Sequence, residues 1–321
     1  MDLDKKIFKI QNENEFNRIA LEVYNYQAKN NSVYKEYIKL LNLPKPKCIK
    51  EIPFLPISFF KTHDIITNDK SIDITFKSSG TTGIKSQHHV SDIKIYIKTF
   101  NLIYNKVIGN PKDQVIIALL PNYKEQKNSS LIYMVDDLIN KTNNQFSGYF
   151  LSDIKKILLS YNEGLKAGKK VIIFGVSYSL LDLAKLNLDL SQAIIIETGG
   201  MKGKRKEISK KDLHSILRKG LNNKSIYSEY GMTELLSQSY SINNEIFKES
   251  TTIRILIRDI NDPFNYVADG KTGGINIIDL ANINSCSFIA TQDLGRIVPE
   301  GFKLMGRFDH SDTRGCNLML Q

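Results

Sequence analysis

FKSSGTTGIKS, residues 76–86, follows directly on a short apolar run, Ile72 to Phe76, that predicts a buried strand. Gly80 and Gly83 let the backbone turn tightly and aim N–H groups at an anion, while Ser78, Ser79, Thr81 and Thr82 add hydroxyl donors. These are the physical requirements of a phosphate cradle; the plain alternative is a polar turn. A Walker A loop is disfavoured, because GxxxxGK[ST] aligned on Lys85 and Ser86 needs glycine where Ser79 and Ile84 stand.

Working outward from this loop, the pattern is that of an α/β sheet. Upstream, from about Glu15 to Leu41, Phe16, Ile19, Ala20, Val23 and Tyr24, then Val33, Tyr37 and Leu40, recur at helical spacing and predict two helices. A stretch marked by Pro44, Pro46, Pro53 and Pro56 ends them. Downstream, buried strands are expected at Val115 to Leu119, Val171 to Phe174 and Ala193 to Ile196. Helical patterns near Ile93 to Val107, Ser130 to Ile139 and Asp153 to Ala167 lie between them. From about Thr251 the pattern becomes strand, turn, strand, through TTIRILIRD, NDPFNYVADGKTGG, INIIDL and CSFIATQD, and a mostly antiparallel sheet or barrel is expected. No repeat at periods of about 20 to 50 residues and no flexible linker divides the chain.

A second motif follows another short apolar run. In YSEYGMTELLSQ, Tyr230 can stack on a base, Thr233 can hydrogen-bond a phosphate and Glu234 can hold a hard cation.

Composition narrows the setting. Hydrophobic residues make up 41% and charged residues 24%, which is ordinary for a globular chain and excludes disorder. The N-terminus carries no apolar core of signal-peptide length, and no stretch has the roughly 18 apolar residues that span a bilayer, so a cytoplasmic protein with no membrane span is expected. Cys48, Cys286 and Cys316 lack zinc-site spacing, and their odd number fits reduced thiols rather than a disulfide framework. The net charge of +10 comes mostly from lysine, and its densest run, Lys202 to Lys211, reads as a solvated face. No helix-turn-helix, zinc-finger or RNA-binding motif accompanies it, so no nucleic-acid partner is expected.

Taken together and in this order, about 150 residues apart, the SSGTTG and YGMTE segments resemble the adenylate-forming superfamily of acyl-CoA synthetases, luciferases and peptide-synthetase adenylation domains. Further stretches match in order: AIIIETGG ending at Gly199 and Gly200, ATQDLGR with Asp293, and GRFDHSDTRG with Arg307 and Asp309. Within the superfamily the sequence is most similar to the LuxE-like acyl-protein synthetases, relatives of phenylacetate-CoA ligase. Pro53 to Ile65, Ser129 to Ile139, Phe174 to Leu183 and Glu197 to Ile208 carry that similarity.

The resemblance implies a large α/β adenylation domain over 1–305, with a helical opening region over 1–70, a β-rich subregion over 251–305 and a short hinge-motif tail over 306–321. The small C-terminal domain of the superfamily is expected to be missing, as in LuxE-like proteins. It implies ATP and Mg²⁺, with the Ser78 to Gly83 loop on phosphates, Gly199 and Gly200 beside adenine, and Tyr230, Gly231, Met232, Thr233 and Glu234 around the nucleotide. Asp293 and Arg307 would hold the ribose, Asp309 would be the hinge residue, and Glu234 would be the metal ligand. The substrate would be a carboxylic acid, on the family's pattern a fatty acid, bound near Phe174 to Tyr178 and Glu229 to Leu236. The acyl acceptor would be Cys316, whose thiol a neighbouring cation such as Arg314 would acidify, or the thiol of a partner such as a reductase or acyl carrier protein. Cys48 and Cys286 read as inert small hydrophobes. The superfamily's usual Pro-Lys after the loop is absent, and Lys85 stands one place early. His88 and His89 follow the loop closely, and such histidines are more often structural than catalytic. The competing readings are an acyl- or aryl-CoA ligase and a non-catalytic nucleotide- or nucleic-acid-binding protein.

Overall fold

The computed structural model of the chain describes residues 3–68, 70–79, 83–120, 128–151, 153–199 and 208–308. The chain opens with helices α1 (Leu3–Lys6), α2 (Glu13–Asn30) and α3 (Ser32–Leu41), the strand β1 (Leu55–Pro56) and the helical turn α4 (Phe59–Thr62). The hairpin β2 (Ile74–Lys77) and β3 (Gln87–Val90) leads into α5 (Ile93–Val107), β4 (Gln114–Leu119), α6 (Ser130–Thr142), β5 (Gly148–Tyr149), α7 (Ile154–Lys166) and β6 (Lys170–Val176). Next come α8 (Ser177–Ala184), β7 (Ala193–Thr198), α9 (Lys210–Gly220), β8 (Ile226–Tyr230), β9 (Ser239–Ile242) and β10 (Phe247–Lys248). The chain then runs through β11 (Ile253–Arg258), β12 (Gly273–Asp279), β13 (Phe288–Val298) and β14 (Gly301–Arg307).

Among the described residues one large sheet runs in the order β11-β12-β13-β14-β10-β9-β8-β7-β6-β4-β5, with β1 paired to β13. Strands β5, β4, β6, β7 and β8 are parallel neighbours. From β8 onward the pairing through β9, β10, β14, β13, β12 and β11 is antiparallel. The expected α/β architecture is present, and so is the antiparallel character of the strands after Thr251.

The parallel strands read as unbroken apolar runs because both of their faces are covered. Val115, Ile117, Leu119, Val171, Ile173 and Ile195 join a core with Ile157 and Tyr161 of α7, Leu180 of α8 and Leu217 of α9. The alternate residues, Ile116, Ala118, Ile172, Phe174 and Ile196, join Tyr96 and Phe100 of α5 and Met134 of α6 in the other core. Helix α5 is stopped at each end by local chemistry. The Asp92 side chain caps Lys94 N–H, and Gly109 leaves the helix with φ of +117°.

One expectation is corrected. The apolar run at Ile72 to Phe76 is not a buried strand of the main sheet. Ile72 is exposed, and Ile74–Lys77 pairs with β3 in a separate two-stranded ribbon. A short apolar run cannot distinguish a central strand from a ribbon strand that buries only one of its residues. Here that residue is Phe76, packed edge-on against Tyr96 and Tyr133.

The opening helices are tied to the far end of the chain by buried amides. Gln27 Nε2 donates to the carbonyls of Asn282, Ile283 and Ser285 at 2.9, 3.0 and 3.1 Å, and its Oε1 accepts from Ser287 N–H. Asn31 Nδ2 donates to the Ser285 carbonyl at 3.0 Å. Buried carbonyls left without a donor carry their full desolvation cost. Gln27→Ala is therefore expected to lower unfolding stability by about 3 kcal/mol, read from the urea midpoint; an unchanged midpoint would contradict this anchoring.

Candidate active site

The phosphate-type loop is closed at its base by sequence-local bonds. Ser78 N–H donates to the Ser86 carbonyl at 3.1 Å, and Ser86 N–H donates to Ser78 Oγ at 3.0 Å. Gly83 has φ of +112° with open space where a Cβ would stand, so conformation rather than crowding requires glycine there. Ser79 lies beside this base, whereas Gly80, Thr81 and Thr82 lie outside the described residues.

The base of the loop rests on the YGMTE segment. Period-two alternation puts Ser86, at the root of β3, and His88 on one face of the ribbon, which meets two consecutive residues of that segment. The Ser86 hydroxyl lies beside the Glu234 carboxyl and pulls its pKa down. His88 Nδ1 meets the Thr233 carbonyl at 2.8 Å. The motif is fixed from behind as well. Asn282 Nδ2 donates to the Glu234 carbonyl at 2.8 Å, and the buried Asp279 carboxylate accepts from the N–H groups of Leu236 and Ser237 at 2.8 and 2.9 Å. Leu235 N–H donates to the Met232 carbonyl, closing the turn. At Gly231 a Cβ would meet the end of the Glu229 side chain, which would have to shift to admit it.

The strand ends bring the remaining expected residues to the same place. Asp293 and Arg307 are cross-strand partners on β13 and β14. Asp293 Oδ2 accepts from Tyr230 OH at 2.7 Å, and Oδ1 accepts from Arg307 Nε at 2.7 Å. The Tyr230 ring is held edge-on by Phe247 and Phe302 at 5.9 Å each. Gly199, at φ of +64°, ends β7, and its carbonyl accepts from Ser177 Oγ at 2.6 Å. Gly200, Asp309, Arg314 and Cys316 lie outside the described residues.

Burial sets the charge states. It raises the Glu234 carboxyl above its usual range, with the Ser86 hydroxyl and Arg307 pulling the other way. Burial pulls His88 down from 6.5 to about 4, although its bond to Thr233 opposes the shift. Among the described residues no group of three or more His, Cys, Asp or Glu is gathered for a metal. A single carboxylate is nonetheless the protein share that Mg²⁺ takes when substrate phosphates and water complete its octahedron. Glu234 fits that share.

Three features differ from the sequence reading. Lys210, at the end of the basic run, is not part of a solvated face: its ammonium pairs with the fully buried Glu197. Burial would raise the Glu197 carboxyl, but Lys210, His214 and Ser228 together bring it down to about 2. Cys48 is exposed rather than buried, whereas Cys286 is buried, with its thiol pushed up to about 12 by burial. Asp279 and Asn282 were not singled out as site residues. The signal was a carboxylate, Asp279, inside the apolar run INIIDL, where only a set of donors makes burial tolerable.

These features define an α/β chain with a loop-and-carboxylate site at its strand ends, and several solved structures share its fold. ATP-bound MatB from Rhodopseudomonas palustris is similar at 15% identity and TM-score 0.56, over 75% of this chain and 50% of that one. A 2-hydroxyisobutyryl-CoA ligase in complex with 2-HIB-AMP and CoA is similar at 12% identity and TM-score 0.68, over 94% and 72%. MenE, the O-succinylbenzoate-CoA synthetase from Bacillus subtilis, in complex with AMP, is similar at 16% identity and TM-score 0.51, over 86% and 54%. The chain thus spans about half the length of MatB. No curated protein is significantly similar in sequence. The family model of the acyl-protein synthetase LuxE matches residues 6–321, and the chain belongs to that family.

The His88 environment gives a stability prediction. The unfolded chain takes up a proton near 6.5 and the folded one only near 4, so this site's stabilisation is complete above pH 6.5 and is lost as pH falls toward 4. The full loss is about 3 kcal/mol, at about 1.4 kcal/mol per pKa unit. Urea midpoints of wild type and His88→Asn between pH 7.5 and 4.5 should converge as pH falls. Parallel curves would contradict a buried neutral imidazole.

Proposed function

We propose that this chain condenses a carboxylic acid, a fatty acid on the LuxE pattern, with ATP to an acyl-adenylate and passes the acyl group to a thiol. The observation that carries the reading is the docking of the Ser78–Ser86 loop base onto Thr233 and Glu234, beside the Tyr230–Asp293–Arg307 cluster. Family membership and similarity to structures holding ATP, AMP or an acyl-AMP support it.

In the first step a substrate carboxylate oxygen attacks the α-phosphorus of ATP, the P–O bond to the β-phosphate breaks, and pyrophosphate leaves. Little covalent work falls to the protein, so positioning and charge neutralisation carry the rate. The N–H groups and hydroxyls of Ser78 to Gly83 would hold the β- and γ-phosphates, and the Thr233 hydroxyl the α-phosphate. Asp293, aligned by Tyr230 and Arg307, would accept from the ribose hydroxyls, and the turn at Gly199 and Gly200 would flank the adenine. Bound at Glu234, Mg²⁺ would supply neutralisation of phosphate charge. In the second step a thiolate sulfur, of Cys316 or of a partner protein, attacks the acyl carbon. The carbon–oxygen bond to phosphate breaks, and AMP leaves.

ATP–pyrophosphate exchange across a panel of fatty and aryl acids, followed by intact-protein mass spectrometry, tests this. Exchange with at least one acid is expected, as is a thioester adduct that Cys316→Ser abolishes without changing exchange. Thr233→Ala and Glu234→Gln should each lower exchange by about 100-fold. Exchange with no adduct but with CoA consumed would instead establish a CoA ligase, a reading favoured by the likeness to the 2-hydroxyisobutyryl-CoA ligase. No exchange with any acid would overturn adenylation.

A further inference from the structure

We infer that His88 is a positioning residue for adenylation: its Nδ1–H holds the Thr233 carbonyl and thereby sets the Thr233 hydroxyl and Glu234 carboxylate against the phosphate loop. The inference rests on the adenylation reading, but its observations are independent of it. His88 lies two residues beyond Ser86, directly across the ribbon from Phe76, with no solvent exposure. Its one hydrogen bond among the described residues spans 145 residues of sequence and joins the ribbon to the catalytic motif.

The chemistry of the contact fixes the tautomer. Thr233 offers a carbonyl, which can only accept, so the proton must sit on Nδ1. Nε2 is buried and has no hydrogen-bond partner among the described residues, so a second proton there would be an unpaired buried donor. The ring edge instead fills space against Phe60, 5.7 Å between centroids. The site therefore uses one atom of the imidazole, a donor at the δ position, and the rest of the ring as volume.

The contact matters because of what Thr233 and Glu234 are anchored to. The Glu234 carbonyl is held by Asn282 and the following N–H groups by Asp279, all on the main-sheet side. The His88 bond refers this rigid segment to the separate ribbon bearing the phosphate loop. Removing the δ donor leaves both halves folded but lets their spacing drift, and an error of about 1 Å between groups on the α- and β-phosphates costs about 100-fold in rate.

The test exploits the different reach of two amides. Asn places a nitrogen near the Nδ1 position, Gln places one near Nε2, and Phe fills the volume with no donor. Steady-state ATP–pyrophosphate exchange is measured for wild type, His88→Asn, His88→Gln and His88→Phe, with deuterium uptake of the 231–236 amides followed without nucleotide. We expect His88→Asn to keep kcat within about 3-fold of wild type. His88→Gln and His88→Phe should lose at least about 10-fold in kcat, with KM for ATP changed far less, and should show faster uptake at 231–236. Wild-type kcat in His88→Phe would overturn the inference. So would rescue by Gln rather than Asn, which would make Nε2 the working atom. If His88→Phe fails to fold, the Asn and Gln pair decides. A wild-type chain that exchanges with no acid would sink adenylation itself, while equal uptake in His88→Gln and wild type would sink the His88 contact separately.

Discussion

The site depends on one interface inside the chain: the face of the β2–β3 ribbon carrying Ser86 and His88, docked on Thr233 and Glu234. A glycine- and hydroxyl-rich loop binds anions only when its N–H groups point inward together, and such a loop on an isolated two-stranded ribbon has little to hold its aim. Docking supplies that rigidity. Phe76 clamps one strand to α5 and α6, and the bond from His88 to the Thr233 carbonyl clamps the other to the motif. The cost is two buried polar groups, the Glu234 carboxyl and the His88 imidazole, of which the imidazole is held through Nδ1 at the Thr233 carbonyl.

The same constraint reaches back to the N-terminus. Asn282 holds the Glu234 carbonyl, and the loop that carries Asn282 is itself held by Gln27 and Asn31 from the opening helices. Helix α2, which contributes none of the expected site residues, thus stands two hydrogen-bonded steps from the would-be metal ligand. On the other flank, the cross-strand pairing of Asp293 with Arg307 places a carboxylate where Tyr230 can orient it. The antiparallel half of the sheet is therefore as much a part of the site as the parallel half.

Much of this was legible in the sequence because it is local. Helix α5 runs over the predicted Ile93–Val107, and β4, β6 and β7 lie within three residues of their expected limits, since continuous apolar runs between polar breaks mark strands covered on both faces. What escaped is long-range. The ribbon looked like a sheet strand because Ile72 is apolar although exposed. Lys210 looked solvated because its partner, Glu197, sits in the apolar run AIIIET on another element. His88 stood out as a residue but not as a contact, because its partner is a backbone carbonyl, which no side-chain pattern announces.

The most direct test of the account is a crystal structure of the chain with an acyl-sulfamoyl adenosine, a non-reactive mimic of the acyl-adenylate. The ribose hydroxyls are expected within hydrogen-bonding distance of Asp293 and the sulfamoyl group at the Thr233 hydroxyl, with the His88–Thr233 contact intact. A mimic bound away from Asp293 and Thr233, or a Thr233 carbonyl turned away from His88 in the complex, would contradict it.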